Sequence, residues 1–261
     1  MPKVRVNRRD TVAEIVLDGP PLNLFDEQMN LDLEAAVDEA GAAIAAGDVR
    51  AVLLRAEGKV FCGGVDVHEF QQRSHANAAR MMARYLTTVQ VIESWPVPTI
   101  AAVHGLNLTI GFELSLGCDL LWASPAASFG LVEAAVGLIP GGGGAQRVAA
   151  RAGIARASEL VLTGDIYGAE EMFAWGVVNR IRPAESLLED VRAYVDKLAA
   201  GPTRALGAAK ELLLTVRGQG TAAADARTPE LAGRPFATQD LADGIASLLK
   251  DGPRHAVFHG R

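Results

Sequence analysis

Three stretches of the chain combine side chains that can do chemistry with glycines that expose backbone. The first is Gly58-Lys59-Val60-Phe61-Cys62-Gly63-Gly64-Val65-Asp66-Val67, in which paired glycines follow a strand-like segment. Glycine lets the backbone turn sharply and leaves nearby amide hydrogens unscreened, so such a loop can hold an anion or an oxygen that gains negative charge. An ordinary connection between elements uses the same residues, and spacing alone leaves both readings open. The GxxxxGK[ST] and GxGxxG phosphate patterns are absent. The second stretch is Gly105-Leu106-Asn107-Leu108-Thr109-Ile110-Gly111-Phe112-Glu113-Leu114. A helix opening near Ile110 would aim its free first amides, and the positive end of its dipole, at the preceding turn. Glu113 in that first turn also fits the general preference of acids for helix starts. The third runs from Phe129-Gly130-Leu131-Val132-Glu133 to Gly137-Leu138-Ile139-Pro140-Gly141-Gly142-Gly143-Gly144. Glu133 is the sole charge between Ala126 and Pro140, which suggests a carboxylate turned toward a pocket. Two carboxylates in one pocket repel when both ionise, so one keeps its proton near neutral pH. An acid and a base working side by side need that division.

The elements that must position these residues are legible from periodicity. Val4 and Val6, then Ala13, Ile15 and Leu17, alternate with other residues as two strands of a hairpin would, and Asp18-Gly19-Pro20-Pro21 ends the second. Asp26 suits an N-cap for a helix with Met29, Leu33, Val37, Ala40 and Ile44 on one face, ending near Gly47. Ala51 to Arg55 reads as a strand, Ala56 to Asp66 as a loop, and Ala76 to Ser94 as a helix stopped by Pro96 and Pro98. Thr99 to Val103, Leu120 to Ala123 and Ser128 to Gly130 read as strands, with a helix from about Ile110 and another near Ala145. Strands spaced between helices indicate an α/β arrangement. After the strand-like Val177-Val178-Asn179-Arg180-Ile181 the pattern becomes helical, over Ala184 to Ala200, Thr203 to Val216 and Asp240 to Leu249. The organisation expected is an α/β body over residues 1–183 and a C-terminal helical region over 184–261. Gln219 to Pro235 carries too much Gly, Ala and Pro for a clear period.

Composition excludes several functions. The 261 residues are 49% apolar and 21% charged, ordinary values for a globular chain. Lys and Arg number 25 against 31 Asp and Glu, a net charge of −6 with no dense basic run, so neither nucleic acid nor an anionic membrane is expected as a partner. Cys62 and Cys118 are too few for a disulfide framework and too far apart for a CxxC pair. Of the five histidines only His255 and His259 lie four apart, in a terminal tail, so no metal site is expected. The start lacks the apolar core of a signal peptide, and the uncharged stretch from Ser94 contains Pro96, Pro98, Gly105, Asn107 and Gly111. A cytoplasmic globular protein is the expectation. His104 reads as a turn residue, Cys62 as a small residue beside its loop, and Met81, Met82 and Tyr85 as core or pocket wall.

In this order and spacing, the three stretches resemble the crotonase, or enoyl-CoA hydratase/isomerase, superfamily. The likeness extends from Pro21-Leu22-Asn23-Leu24 through Phe61 to Val67 and the FGLVEAAVGLIPGGGGAQR run. It continues to Phe236-Ala237-Thr238-Gln239-Asp240 and the closing Val257-Phe258-His259-Gly260-Arg261. The resemblance implies an α/β body made of a spiral of ββα turns, a C-terminal helical region packed on it or on a neighbour, and a homotrimer or dimer of trimers. It implies an acyl-CoA thioester substrate and no separate cofactor, coenzyme A being part of the substrate. By motif position the thioester oxygen would lie between the backbone amides of Val65 and Ile110. Hydratase members use two glutamates, and both positions are filled here: Glu113 would activate water for attack at C3 and Glu133 would exchange a proton at C2. The expected activity is therefore an enoyl-CoA hydratase, a hydro-lyase adding water reversibly to a 2-trans-enoyl-CoA. An enoyl-CoA isomerase or another crotonase-type reaction is the alternative, and a catalytically weak CoA-thioester-binding protein a further one.

Substrate contacts carried over in the same way are Leu24 toward the adenosine part, and Asp66, Val67 and His68, chiefly through backbone. Phe236 and Lys250 would reach the nucleotide of an adjacent subunit, with Arg254 a rival cation beyond the Asp251-Gly252-Pro253 insertion. Two departures stand out. Thr109-Ile110 replaces a common Gly-Gly, and Val65 replaces a common Ala. An amide donates whatever its side chain, but a β-branched residue such as Ile110 accepts positive φ only at a cost, and bulk at both positions implies either a restricted acyl group or a hole too crowded for efficient chemistry.

Overall fold

The computed structural model describes residues 2–71 and 74–261. Strands β1 (Val4–Arg9) and β2 (Val12–Leu17) form the antiparallel hairpin that their alternation predicts. Helix α1 (Glu27–Ala45) starts where the Asp26 carboxylate accepts the Met29 N–H at 2.8 Å, and it buries Met29, Leu33, Val37, Ala40 and Ile44. Then come β3 (Ala51–Ala56), a 3-10 turn (Val67–Phe70) and α2 (His75–Ser94), which gives way to extended backbone at Trp95 before Pro96. The segments β4 (Thr99–Val103), β5 (Leu106–Leu108), α3 (Ile110–Gly117), β6 (Leu120–Ala123) and β7 (Ser128–Gly130) follow closely. A second 3-10 turn (Glu133–Val136) leads to α4 (Gly144–Ala152), α5 (Ile154–Thr163), β8 (Ile166–Gly168), α6 (Ala169–Ala174) and β9 (Arg180–Ile181). The chain then runs helically through α7 (Leu187–Ala199), α8 (Thr203–Gln219), α9 (Thr221–Gly233), a 3-10 turn (Arg234–Ala237) and α10 (Gln239–Asp251).

A six-stranded sheet has the order β1-β2-β3-β4-β6-β9 and is parallel beyond its first pair. A smaller sheet, β5-β7-β8, stands beside it. The period of two along β2 decides what each face packs against. Ala13, Ile15 and Leu17 join the main core, with residues of α1, α2 and α3. Val12 faces the other way, in a second cluster with Leu53, Ile100 and Trp122 covered by Leu187, Val191, Val195 and Ala199 of α7. The first core packs β4 and α3 together and so fixes the start of α3, where the sequence places the chemistry.

Three local readings differ from the sequence. The Val177-to-Ile181 strand shrinks to Arg180–Ile181, because the amides of Val177 and Val178 both donate to the Met172 carbonyl and close α6 instead. The helix near Ala145 divides at Gly153 into α4 and α5. Residues 221–233 form α9 although Pro229 lies inside it; Ala224 and Leu231 are buried there, and packing outweighs the lost hydrogen bond.

One buried acid is structural. Glu14, on the α7 face of β2, is fully buried and meets Arg192 at 2.7 Å and Arg55 at 3.0 Å. Burial alone would push its carboxyl up, but the hydrogen bonds and charges of Arg192 and Arg55 outweigh that and hold it at about 2, against an ordinary 4.5. A depressed folded-state value stabilises the fold above pH 4.5 and is lost as pH falls toward 2. That loss amounts to roughly 3 kcal/mol. Denaturant titrations across this range should show the decline, and Glu14→Gln should flatten it.

Candidate functional site

Two peptide units are oriented by left-handed residues directly before them. Gly64, at φ +104°, precedes Val65, and Thr109, at φ +47°, precedes Ile110. The cost that β-branching carries at positive φ thus falls on Thr109, while Ile110 is the first helical residue of α3. Thr109 is held there from both sides: its N–H donates to the Gly130 carbonyl at 2.9 Å, and its carbonyl accepts the Glu113 N–H at 2.9 Å. The Ile110 amide belongs to the first turn of α3, where a helix supplies no carbonyl of its own. Val65 is bridged in parallel fashion to Phe25, through Phe25 N–H to Gly64 C=O and Asp66 N–H to Phe25 C=O. In extended backbone the amide between those two bonds points to the opposite side, so the Val65 N–H faces away from Phe25.

Beside these two peptide units lies a cavity of about 170 Å³. Gly64, Val65, Thr109, Ile110, Glu113 and Glu133 all line it. Met82 and Tyr85 of α2, Phe70, Val136 and Leu138 complete a largely apolar wall. The two glutamates arrive from separate elements: Glu113 from α3, Glu133 from the 3-10 turn after β7. Ile110 is 1% exposed and packs into the main core, its Cδ1 lying 3.1 Å from where a Cβ on Gly142 would stand.

The carboxylates differ in what meets them. Burial pushes the Glu113 carboxyl up; opposing this, the amides of Gly144, Gly142 and Gly143 and the charge of Arg147 favour its ionised form. The Gly144 N–H donates to Glu113 Oε1 at 2.8 Å. For Glu133, burial raises the carboxyl to about 7, its own backbone amide opposes this, and the charge of Glu113 adds to the rise. Glu133 Oε2 is buried with no hydrogen-bond partner among the described residues. The amides of Gly144, Gly142 and Gly143 thus meet Glu113, whereas Glu133 Oε2 has no donor among the described residues, and burial raises both carboxyls.

The Gly141–Gly144 run leads into α4 and does more. It carries the amides that hold Glu113, and it is braced from below. Arg147 Nη1 donates to the Gly143 carbonyl at 3.1 Å. The rest of its guanidinium grips Glu93 at 3.0 and 2.7 Å, and Arg217 of α8 meets Glu93 at 2.5 Å. Sequence reasoning misses Arg147 and Glu93 because they are far apart in the chain and each resembles an ordinary helix charge.

The other expected contacts scatter. Val67 lines the cavity; Leu24, Asp66, His68, Phe236 and Lys250 do not. Asp66 caps the first 3-10 turn, accepting the His68 N–H at 3.0 Å, and also meets His68 Nδ1 at 2.6 Å. Leu24 packs where a Cβ on Gly63 would fall, 3.0 Å from its Cδ2. Phe236 is 79% exposed on the tail, and Lys250 is exposed in the last turn of α10. His104 Nε2 lies 3.0 Å from the Gly58 carbonyl in its turn. Among the described residues no group of three His, Cys, Asp or Glu side chains could hold a metal ion. No helix among them is long and apolar enough to cross a membrane.

Comparison with known proteins places this geometry in context. The family model described as enoyl-CoA hydratase/isomerase matches residues 7–254. A protein of Mycobacterium bovis named probable enoyl-CoA hydratase is 31% identical over 248 residues, covering 95% of each chain. One of Bacillus subtilis with the same designation is 29% identical over 241 residues, covering 92% of each. Among solved structures, an enoyl-CoA hydratase subunit I of Geobacillus kaustophilus superposes with a TM-score of 0.91 at 31% identity, over 99% of this chain and 98% of its own. The enoyl-CoA hydratase of Bacillus anthracis gives 0.91 at 27% identity, over 99% and 100%. With the model match spanning nearly its whole length, this chain belongs to the enoyl-CoA hydratase/isomerase, or crotonase, family.

Proposed function

We propose that the protein hydrates 2-trans-enoyl-CoA thioesters. The observation that carries this reading is that two acidic side chains and the two backbone positions Val65 and Ile110 line one cavity. The thioester oxygen rests between the amides of Val65 and Ile110. Glu113 takes a proton from water as its oxygen bonds to C3, and the C2–C3 π pair moves toward the carbonyl. The charge reaches the oxygen, where each aligned amide is worth about 3–4 kcal/mol in the transition state. Glu133, which carries the proton in this scheme, then delivers it to C2. Transfer of the proton gained by Glu113 restores both residues. The apolar wall from Met82 and Tyr85 suits an acyl chain, and excludes water other than the one Glu113 activates. Val67, and the backbone around Asp66 and His68, are proposed to meet the coenzyme A portion, with Leu24 near its adenosine end. Phe236 and Lys250 would do so only from a neighbouring subunit of a homotrimer or dimer of trimers. Exposed Ile154, Leu162, Ile166 and Phe173 support association of that kind.

Mixing the protein with crotonyl-CoA should lower the ultraviolet absorbance of the conjugated thioester to an equilibrium value, with 3-hydroxybutyryl-CoA as product. A 3-enoyl-CoA offered alongside should not be consumed at a comparable rate. Preferential conversion of the 3-enoyl isomer would replace hydration by isomerisation. Binding with no conversion of either would leave a thioester-binding protein.

A further inference from the structure

Cys62 has no part in the chemistry above, yet its sulfur lies between the two donor segments. The Gly64 N–H donates to Cys62 Sγ at 3.3 Å, and the Gly111 N–H donates to the same atom. Gly64 directly precedes Val65, and Gly111 directly follows Ile110, so the amides next to both proposed donors converge on one sulfur. Sγ is itself fixed by donating to the Asn23 carbonyl at 3.2 Å, and the residue is fully buried. The packing is equally close. A Cβ on Gly111 would fall 2.3 Å from Cys62 Cβ, and one on Gly64 would fall 2.8 Å from Thr109 Oγ1. Gly64 is thus held between the thiol and the Thr109 side chain.

From this convergence we infer that Cys62 is a positioning residue that sets the separation and aim of the Val65 and Ile110 amides. The inference rests on the hydratase reading of the site and extends it to a residue that touches no substrate. A γ atom with both lone pairs and a hydrogen suits the place, since it can accept from two backbone segments while donating to a third. Burial pushes the thiol up to about 12, so it stays neutral and never competes as an anion for the donors it arranges.

The test compares wild type, Cys62→Ala and Cys62→Ser by two measurements. One is kcat and KM for crotonyl-CoA hydration. The other is the enolate absorbance of bound acetoacetyl-CoA, which reports stabilised oxyanion charge without any turnover. Cys62→Ala should lower kcat about tenfold, the lower end of what a misplaced donor costs, with KM within about twofold, and should weaken the enolate band. Cys62→Ser, which still accepts both hydrogen bonds, should recover most of both. If the alanine variant does not fold, Cys62→Val fills the space without accepting and takes its place. Wild-type kcat and enolate band in the alanine or valine variant would overturn the inference alone. A serine variant no better than alanine would reduce Cys62 to packing and overturn it too. A wild-type protein that neither hydrates crotonyl-CoA nor binds acetoacetyl-CoA would instead remove the hydratase reading, and this inference with it.

Discussion

Glu133→Gln should lower kcat for crotonyl-CoA hydration about a thousandfold, within the range for loss of a positioned acid–base group, while leaving thioester affinity within about twofold. The amide matches the carboxyl in shape and removes only the proton that C2 must receive. The pH dependence follows from the same group. Its carboxyl is raised to about 7, so the acid form that hydration needs is present below that value and is lost as pH rises through it. The reverse reaction passes through the same singly protonated pair, with the proton on Glu113 to release water, so it should fall over the same interval. Stopped-flow absorbance with either substrate checks both limbs. Undiminished kcat in the Glu133→Gln enzyme would remove Glu133 from proton transfer. The substitution should also raise the melting temperature at pH 8. The unfolded chain releases this proton near 4.5 and the folded chain near 7, so ionisation weakens the fold between those values and above them.

The second large effect is on stability. Arg147→Ala should cost about 3–5 kcal/mol, the usual penalty for removing one partner of a buried ion pair. Glu93 would keep only Arg217, whose side chain is 39% exposed, while Arg147 and Glu93 are 7% and 12% exposed. The urea midpoint reports this directly. Arg147→Lys should recover only part of it, since an ammonium cannot reproduce the two-point grip on Glu93 or reach Gly143 as well. A midpoint unchanged by the alanine substitution would show that the pair is not a keystone of this region.

How much of this is legible in the sequence depends on how local each signal is. Asp26 capping α1, and Met29, Leu33, Val37, Ala40 and Ile44 along it, are short-range patterns, and they appear as read. Motif order suggests the convergence of Glu113 and Glu133, but only the fold brings their elements to one cavity. The different surroundings of the two carboxyls are not legible in the sequence, because the amides from Gly142 to Gly144 that meet Glu113 have no side-chain signature. Thr109-Ile110 stands out as a departure, yet the sequence assigns the conformational cost to Ile110. Which residue of a pair occupies the left-handed turn is set by where α3 begins, and Gly130 and Glu113 decide that by their hydrogen bonds to Thr109. Residues 221–233 defeat sequence reading because Pro229 argues locally against a helix that neighbouring packing imposes.

Arg217 belongs to a helix far downstream of Ile110, but it is joined through Glu93, Arg147 and Gly143 to the loop that steadies Glu113. Lys210 of the same helix reaches back to Asp119 at 2.8 Å, just beyond the end of α3. The late-synthesised part of the polypeptide is thus a brace for the early part. A ribosome-bound chain halted before α8 would hold both Glu113 and Glu133 and still lack the strut beneath the loop that meets Glu113.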